Sequence, residues 1–172
     1  NRLGFVTSAE RFDPTRGAWS AVAAPGITGN VTVGLMLPTG RAVIFTDGSQ
    51  EGRLYDATAN TWTATGPMSA SRALPTATLL ASGQVLLAGG SSSLTTAELY
   101  DPTTNTFTAT GSMSTARRAH TAARLRDGRV LVVSGSAAAG EVPTAELYDP
   151  TAGTWALAAP PLVPRHYATG TL

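Results

Sequence analysis

The stretch Ala97-Glu98-Leu99-Tyr100-Asp101 recurs unchanged as Ala145-Glu146-Leu147-Tyr148-Asp149. Weaker copies stand upstream as Gly52-Arg53-Leu54-Tyr55-Asp56 and Ala9-Glu10-Arg11-Phe12-Asp13. The four Asp residues are spaced by 43, 45 and 48 positions. A period of that size marks an array of supersecondary units, each too small to bury its apolar face alone, so the fold is read per repeat. Residues that recur in every unit are expected to be scaffold. Function is expected where the copies differ, or where the loops of one face converge.

Aligned on the Asp, the copies stay in register for most of their length. A second aromatic follows the first by seven positions: Phe12 to Trp19, Tyr55 to Trp62, Tyr100 to Phe107, Tyr148 to Trp155. Sixteen residues after the Asp stands Arg72, Arg117 or Arg165, with Gly29 in the first copy. Further on come Gly89-Gly90, Ser134-Gly135 and the divergent Thr46-Asp47. Length changes fall after that pair, in stretches of 9, 11 and 14 residues, as a surface loop tolerates and a paired strand does not.

Each unit reads as four strands. Thr76–Leu80 or Thr121–Leu125 is the first. A turn at Ser82-Gly83 or Asp127-Gly128 reverses it, since glycine accepts positive φ. The apolar runs Val85–Ala88 and Val130–Val133 predict a second strand buried on both faces. Ala97–Tyr100 or Ala145–Tyr148 is the third. A turn built on Asp-Pro-Thr then leads to a fourth that carries Trp62, Phe107 or Trp155. Four antiparallel strands per roughly 45 residues, without helical periodicity, predict an all-β propeller with blades at about 28–70, 71–115 and 116–163. Parts of further blades are expected at 1–27 and 164–172, the latter as a first strand over His166–Leu172.

Composition narrows the function. Of 172 residues, 13% are charged, all twelve basic residues are Arg, and the net charge is +1. Such a chain lacks the broad basic field that binds phosphate backbones, so nucleic acid is not an expected partner. With no cysteine, disulfides, thiolate chemistry and Cys-based metal sites are excluded. The apolar runs are too short to span a bilayer as helices, so membrane insertion is not expected. Asn1–Asp13 already carries repeat sequence and does not read as a signal peptide.

The combination of Gly89-Gly90, the seven-residue Tyr-to-Trp spacing and the Arg that opens the first strand resembles the kelch repeat family. Arg117-Arg118-Ala119-His120 fits its Arg-x-x-His start. The first blade departs from the pattern at Gly29 and Thr46-Asp47, and the second has Pro75 where the third has His120. No Trp-Asp pair ends a strand, which disfavours WD40 blades, and the Ser-x-Asp-x-Gly box of sialidase propellers is absent. The resemblance implies that the 3.5 to 4 blades here belong to a six- to eight-bladed ring, completed by further chain or by self-association, because ring closure hides sheet edges.

In a propeller the first strand lies nearest the axis, so Arg72, Arg117 and Arg165 are expected to circle one mouth of the channel, with Arg118, His120 and His166 nearby. Such a ring would hold carboxylates or acidic peptide segments, because a guanidinium offers a planar fork of donors. The alternative is that each Arg bonds backbone carbonyls of the adjoining blade. Two His without a supporting carboxylate pattern make no metal site, and no cofactor is expected. The Asp series reads as turn capping, and the Tyr/Trp pairs as packing between blades rather than a sugar platform. Asp47 and Glu51 either line a local site or mark a drifted blade.

Three functions compete. The first is a non-enzymatic scaffold whose loops 48–53, 91–96 and 136–144 bind a protein or glycan, at the cell surface or outside the cell. The second is part of a propeller enzyme acting on a carbohydrate or sialic acid, by epimerase-like or oxidase-like chemistry. The family's copper oxidases need a Cys–Tyr crosslink and several His, which this segment does not supply alone. The third is a purely structural array that spaces other domains.

Overall fold

The computed structural model describes residues 8–27, 29–91 and 93–170, and among these it contains sixteen strands and no helix. The strands β1 (Ala9–Asp13) and β2 (Ala18–Val22) form a hairpin. A four-stranded sheet follows from β3 (Val31–Met36), β4 (Ala42–Thr46), β5 (Gly52–Asp56) and β6 (Thr61–Ala64). The next is built from β7 (Thr76–Leu79), β8 (Val85–Ala88), β9 (Ala97–Asp101) and β10 (Thr106–Thr110). In the third, β11 (Thr121–Arg124) and β12 (Val130–Val133) pair with β15 (Ala145–Asp149) and β16 (Thr154–Ala158). Each sheet is an antiparallel meander in chain order. The expected all-β architecture of four-stranded antiparallel blades is therefore present.

Apolar side chains fill the space between neighbouring sheets. Along β8 the residues alternate: Val85 and Leu87 pack with Val43, Phe45 and Leu54 of the first sheet, while Leu86 and Ala88 pack with Val130 and Val132 of the third. This is period-two geometry with both faces of the strand covered. The run at β12 departs from the expectation of burial on both faces. Val130 and Val132 are buried, whereas Leu131 and Val133 are half-buried, because only one of its faces meets another four-stranded sheet among the described residues. The first strands adjoin, with β7 beside both β3 and β11.

The turn after each third strand is capped as the sequence predicts. Asp101 Oδ1 accepts the N–H of Thr103 at 2.8 Å, and Asp149 Oδ1 that of Thr151 at 2.8 Å. The same bonds hold the Asp13 and Asp56 carboxyls below their ordinary range; at Asp13 the Thr15 hydroxyl contributes most, and at Asp56 the Ala59 amide. Asn60, Asn105 and Gly153 take the left-handed backbone (φ 52°, 59° and 67°) that closes these turns.

The Tyr/Trp spacing has two consequences. Tyr55 stands directly opposite Trp62, and Tyr148 opposite Trp155, with ring centroids 4.9 and 5.1 Å apart. The indole then reaches the preceding unit, Trp62 Nε1 donating to the Ala23 carbonyl at 2.7 Å and Trp155 Nε1 to that of Gly111 at 2.8 Å. Phe107, at the same repeat position, has no such donor, and there Asn105 Nδ2 donates to the Ala64 carbonyl at 3.1 Å. Trp155→Phe is therefore expected to lower stability by about 1 kcal/mol, the net worth of one hydrogen bond. Urea denaturation would show it, and an unchanged midpoint would remove the indole bond from the account.

Two expectations need correction. His166–Gly170 is not a strand, and residues 171–172 lie outside the described residues. The loop at 136–144 is also less irregular than expected. Its strands β13 (Ser136–Ala137) and β14 (Gly140–Glu141) form a small hairpin over the loop face.

Candidate functional site

Arg72 and Arg117 enter the first strands of their blades with both guanidinium groups buried. Arg72 Nη1 donates to the carbonyls of Gly89 (2.7 Å) and Thr96 (2.9 Å), and Nη2 donates to Thr96 Oγ1 (3.2 Å) and Glu98 Oε2 (2.8 Å). Arg117 repeats this set on the carbonyls of Ser134 and Thr144, on Thr144 Oγ1 and on Glu146 Oε1, at 2.8–3.0 Å. The second carboxylate oxygen ties the next inter-blade link, since Glu98 Oε1 accepts the Ser69 N–H at 2.9 Å and Glu146 Oε2 that of Ser114 at 2.7 Å. Burial lowers the Arg117 pKa from its ordinary value, and Glu146 opposes that shift.

The expectation that Arg72 and Arg117 face a ligand is thus corrected. Each is enclosed by its own blade, with both terminal nitrogens already bonded. The alternative weighed from sequence was also half right. The side chain does bind backbone carbonyls, but those of its own blade. It is the arginine's main-chain carbonyl that links blades, Arg117 accepting from the Gly90 N–H at 2.9 Å and Arg72 from that of Gly48 at 3.2 Å. The diglycine allows this approach, because a Cβ on Gly89, where φ is +61°, would collide with the Arg117 carbonyl.

Glu98 and Glu146 were missed in the sequence reading, although a signal exists. Both stand three residues before the repeat Asp. The first blade, which has Gly29 in place of the Arg, has Arg53 in place of the Glu, so the two partners vanish together.

His120 is also buried rather than presented at the mouth, being 6% exposed. Its Nε2 shares a hydrogen bond with Thr76 Oγ1 of the neighbouring blade at 2.9 Å, and its Nδ1 has no partner. Burial, and secondarily the charge of Arg117, push its pKa down to about 3, so the ring is neutral near pH 7. The residue also packs against both diglycine-type pairs, by its ring at Gly89, where a Cβ would come 3.1 Å from His120 Cε1, and by its stem at Gly135, where a Cβ would come 2.7 Å from His120 Cβ.

Arg118, Arg165 and His166 do reach solvent. Arg118 sits beside the β13–β14 hairpin, exchanging two 2.9 Å backbone bonds with Ser136. The Arg165 carbonyl accepts the Gly135 N–H at 2.9 Å, so its main chain occupies the same place as those of Arg72 and Arg117. Its side chain is exposed. His166 Nδ1 approaches Glu141 Oε1 of the hairpin at 3.3 Å. A depression of about 560 Å³ lies here, lined by Glu141, Arg165, His166, Tyr167 and Thr169 among others. A second cavity, about 290 Å³, opens in the first blade among Gly29, Thr46, Asp47, Glu51 and Arg53.

The three four-stranded sheets stacked through their inner strands can be set beside known proteins. A solved structure of a fungal alcohol oxidase of the AA5 family, in complex with copper, shares the fold. The superposition has a TM-score of 0.60 and 21% identity, and covers 73% of this chain and 30% of that one. The likeness is one of fold. This chain spans less than a third of that oxidase's length. No family model matches the sequence, and no curated protein does.

Proposed function

We propose that this chain is part of a kelch-type propeller that acts as a binding scaffold, presenting the loops between its second and third strands to a protein or glycan at the cell surface or outside the cell. The observation that supports this most is the division of labour among the arginines. Arg72 and Arg117 are enclosed as framework, while Arg118 is exposed beside the β13–β14 hairpin and Arg165 and His166 line the 560 Å³ depression. The buried cages hold the loop stems, and the loops themselves differ in length. Exposed guanidinium groups beside an open, polar depression suit acidic or hydroxyl-rich ligands.

Arg118→Ala is expected to weaken binding of an acidic peptide, or of the best ligand in a glycan panel, by about tenfold, the worth of one charge-assisted contact. The fold should be retained, because the side chain is exposed. Unchanged affinity in a titration would remove this mouth from the binding surface.

The alcohol oxidase neighbour favours a second reading, a share in an oxidase-like enzyme. The described residues do not fit a copper site of their own: no group of three or more His, Cys, Asp or Glu side chains among them is placed to hold an ion. His120, the buried candidate, already spends Nε2 on Thr76.

A further inference from the structure

In the second and third blades the same five repeat positions build one object. They are an Arg at the start of the first strand, the two residues of the Gly-Gly or Ser-Gly pair, a Thr five residues before the repeat Asp, and a Glu three residues before it. Together they close two backbone carbonyls, a hydroxyl and a carboxylate around a guanidinium. In the first blade those positions are Gly29, Thr46, Asp47, Glu51 and Arg53, and all five line the 290 Å³ cavity. The cavity stands at the position of the guanidinium cage, with Gly29 in place of its arginine and Arg53 in place of its glutamate.

Neither chain geometry nor Arg53 refills it. A Cβ on Gly29 would meet only ordinary contacts, 3.6 Å from the Asp47 carbonyl oxygen and 3.9 Å from Thr46 Cβ. Arg53 turns instead toward its neighbours, with Nη1 3.5 Å from Glu51 Oε2 and 3.3 Å from the Gly52 carbonyl. That pairing leaves Asp47, which stands where the other blades have glycine, with no ion pair among the described residues. Two carboxylates against one guanidinium make the cavity net negative. An anionic ligand would have to displace Glu51 from Arg53 and sit beside Asp47, whereas a cation meets the unmatched Asp47 carboxylate.

We propose that this vacated cage binds a guanidinium supplied from outside the blade, as the arginine side chain of a peptide or protein partner. The planar fork of donors suits the Asp47 and Glu51 carboxylates that line the cavity, and guanidinium is weakly enough hydrated to enter a half-open cavity. Lysine, with a compact and strongly hydrated charge, fits less well. The proposal rests on the reading of this loop face as a binding surface, yet the two fail separately, because the cage lies in the first blade and the Arg118 mouth in the third.

The test is a titration of the amide spectrum of the full chain with acetyl-Gly-Arg-Gly-amide, and with the same peptide carrying citrulline or lysine. The arginine peptide is expected to move the Gly29, Gly48 and Gly52 resonances and to leave Gly135 and Gly140 at the other mouth unmoved. The citrulline peptide, equal in shape but uncharged, should bind at least about tenfold more weakly, because the charge-assisted bonds are lost. Asp47→Asn, at an exposed position, should weaken the arginine peptide severalfold. The double variant Gly29→Arg, Arg53→Glu rebuilds the internal pair and should abolish the shifts. Silence of the three glycines toward the arginine peptide would overturn the proposal. So would equal shifts from the citrulline peptide, or full affinity in Asp47→Asn. Shifts at Gly135 and Gly140 alone would support the mouth of the third blade and reject the cage.

Discussion

Glu146→Ala is expected to destabilise the chain by about 3–5 kcal/mol, the range for stranding one partner of a buried ion pair. The substitution leaves the Arg117 guanidinium, which is 0% exposed, without its only charged partner. It also strips the Ser114 and Thr115 N–H groups of their acceptor. Glu98→Ala should act alike through Arg72, with Ser69 as the amide left behind. The paired substitution Arg117→Met, Glu146→Leu should recover the part of the loss that comes from the stranded charge, but not the part from the Ser114 N–H and the Ser134 and Thr144 carbonyls it leaves without partners. Urea denaturation of the single and paired variants, with hydrogen exchange to localise the opening, measures both. A loss under about 1 kcal/mol for Glu146→Ala would mean that the pair is solvated and the cage does not hold the loop stems.

The second large effect is on pH dependence. His120 titrates near pH 3 in the fold and near its ordinary 6.5 when unfolded. Between those values the unfolded chain binds a proton that the folded chain refuses. Stability is therefore fully present above about pH 6.5 and falls as the pH drops toward 3. At about 1.4 kcal/mol per unit of pKa difference, the loss approaches roughly 4–5 kcal/mol at the acid end. His120→Gln is expected to flatten this part of the profile, because an amide can keep the bond to Thr76 without titrating. A wild-type profile that is flat from pH 6.5 to 4 would show that the ring is protonated in the native state and that its burial is relieved by local opening.

The two sets of residues behind these effects differed in how far they could be read in advance. His120 was visible as part of an Arg-x-x-His start, yet its contact, Thr76 Oγ1, lies 44 residues away in another blade. The carboxylates were hidden inside the most legible motif of the chain. Ala-Glu-Leu-Tyr-Asp announces a strand and a turn, and its Glu reads as the solvent-facing member of an alternating strand. Glu98 and Glu146 instead point into the sheet stack, at 3% and 1% exposure, because each meets an arginine that arrives from the first strand of its blade.

The period, the four strands of each blade and the Asp-capped turns are legible in the chain because they are local. Alternation sets strands, a carboxylate caps the amide two residues on, and glycine or asparagine closes a turn, all within a few residues. The same reasoning could not decide whether Arg72 and Arg117 face a ligand or the framework. What decides it is that acceptors seventeen or more residues later fold back over each guanidinium. For the same reason Asp47 and Glu51 read either as a local site or as drift in one blade until the tertiary structure placed them, with Gly29 and Arg53, around one cavity. Burial of a charge is decided by which distant groups surround it, and only the packed sheets bring those groups together.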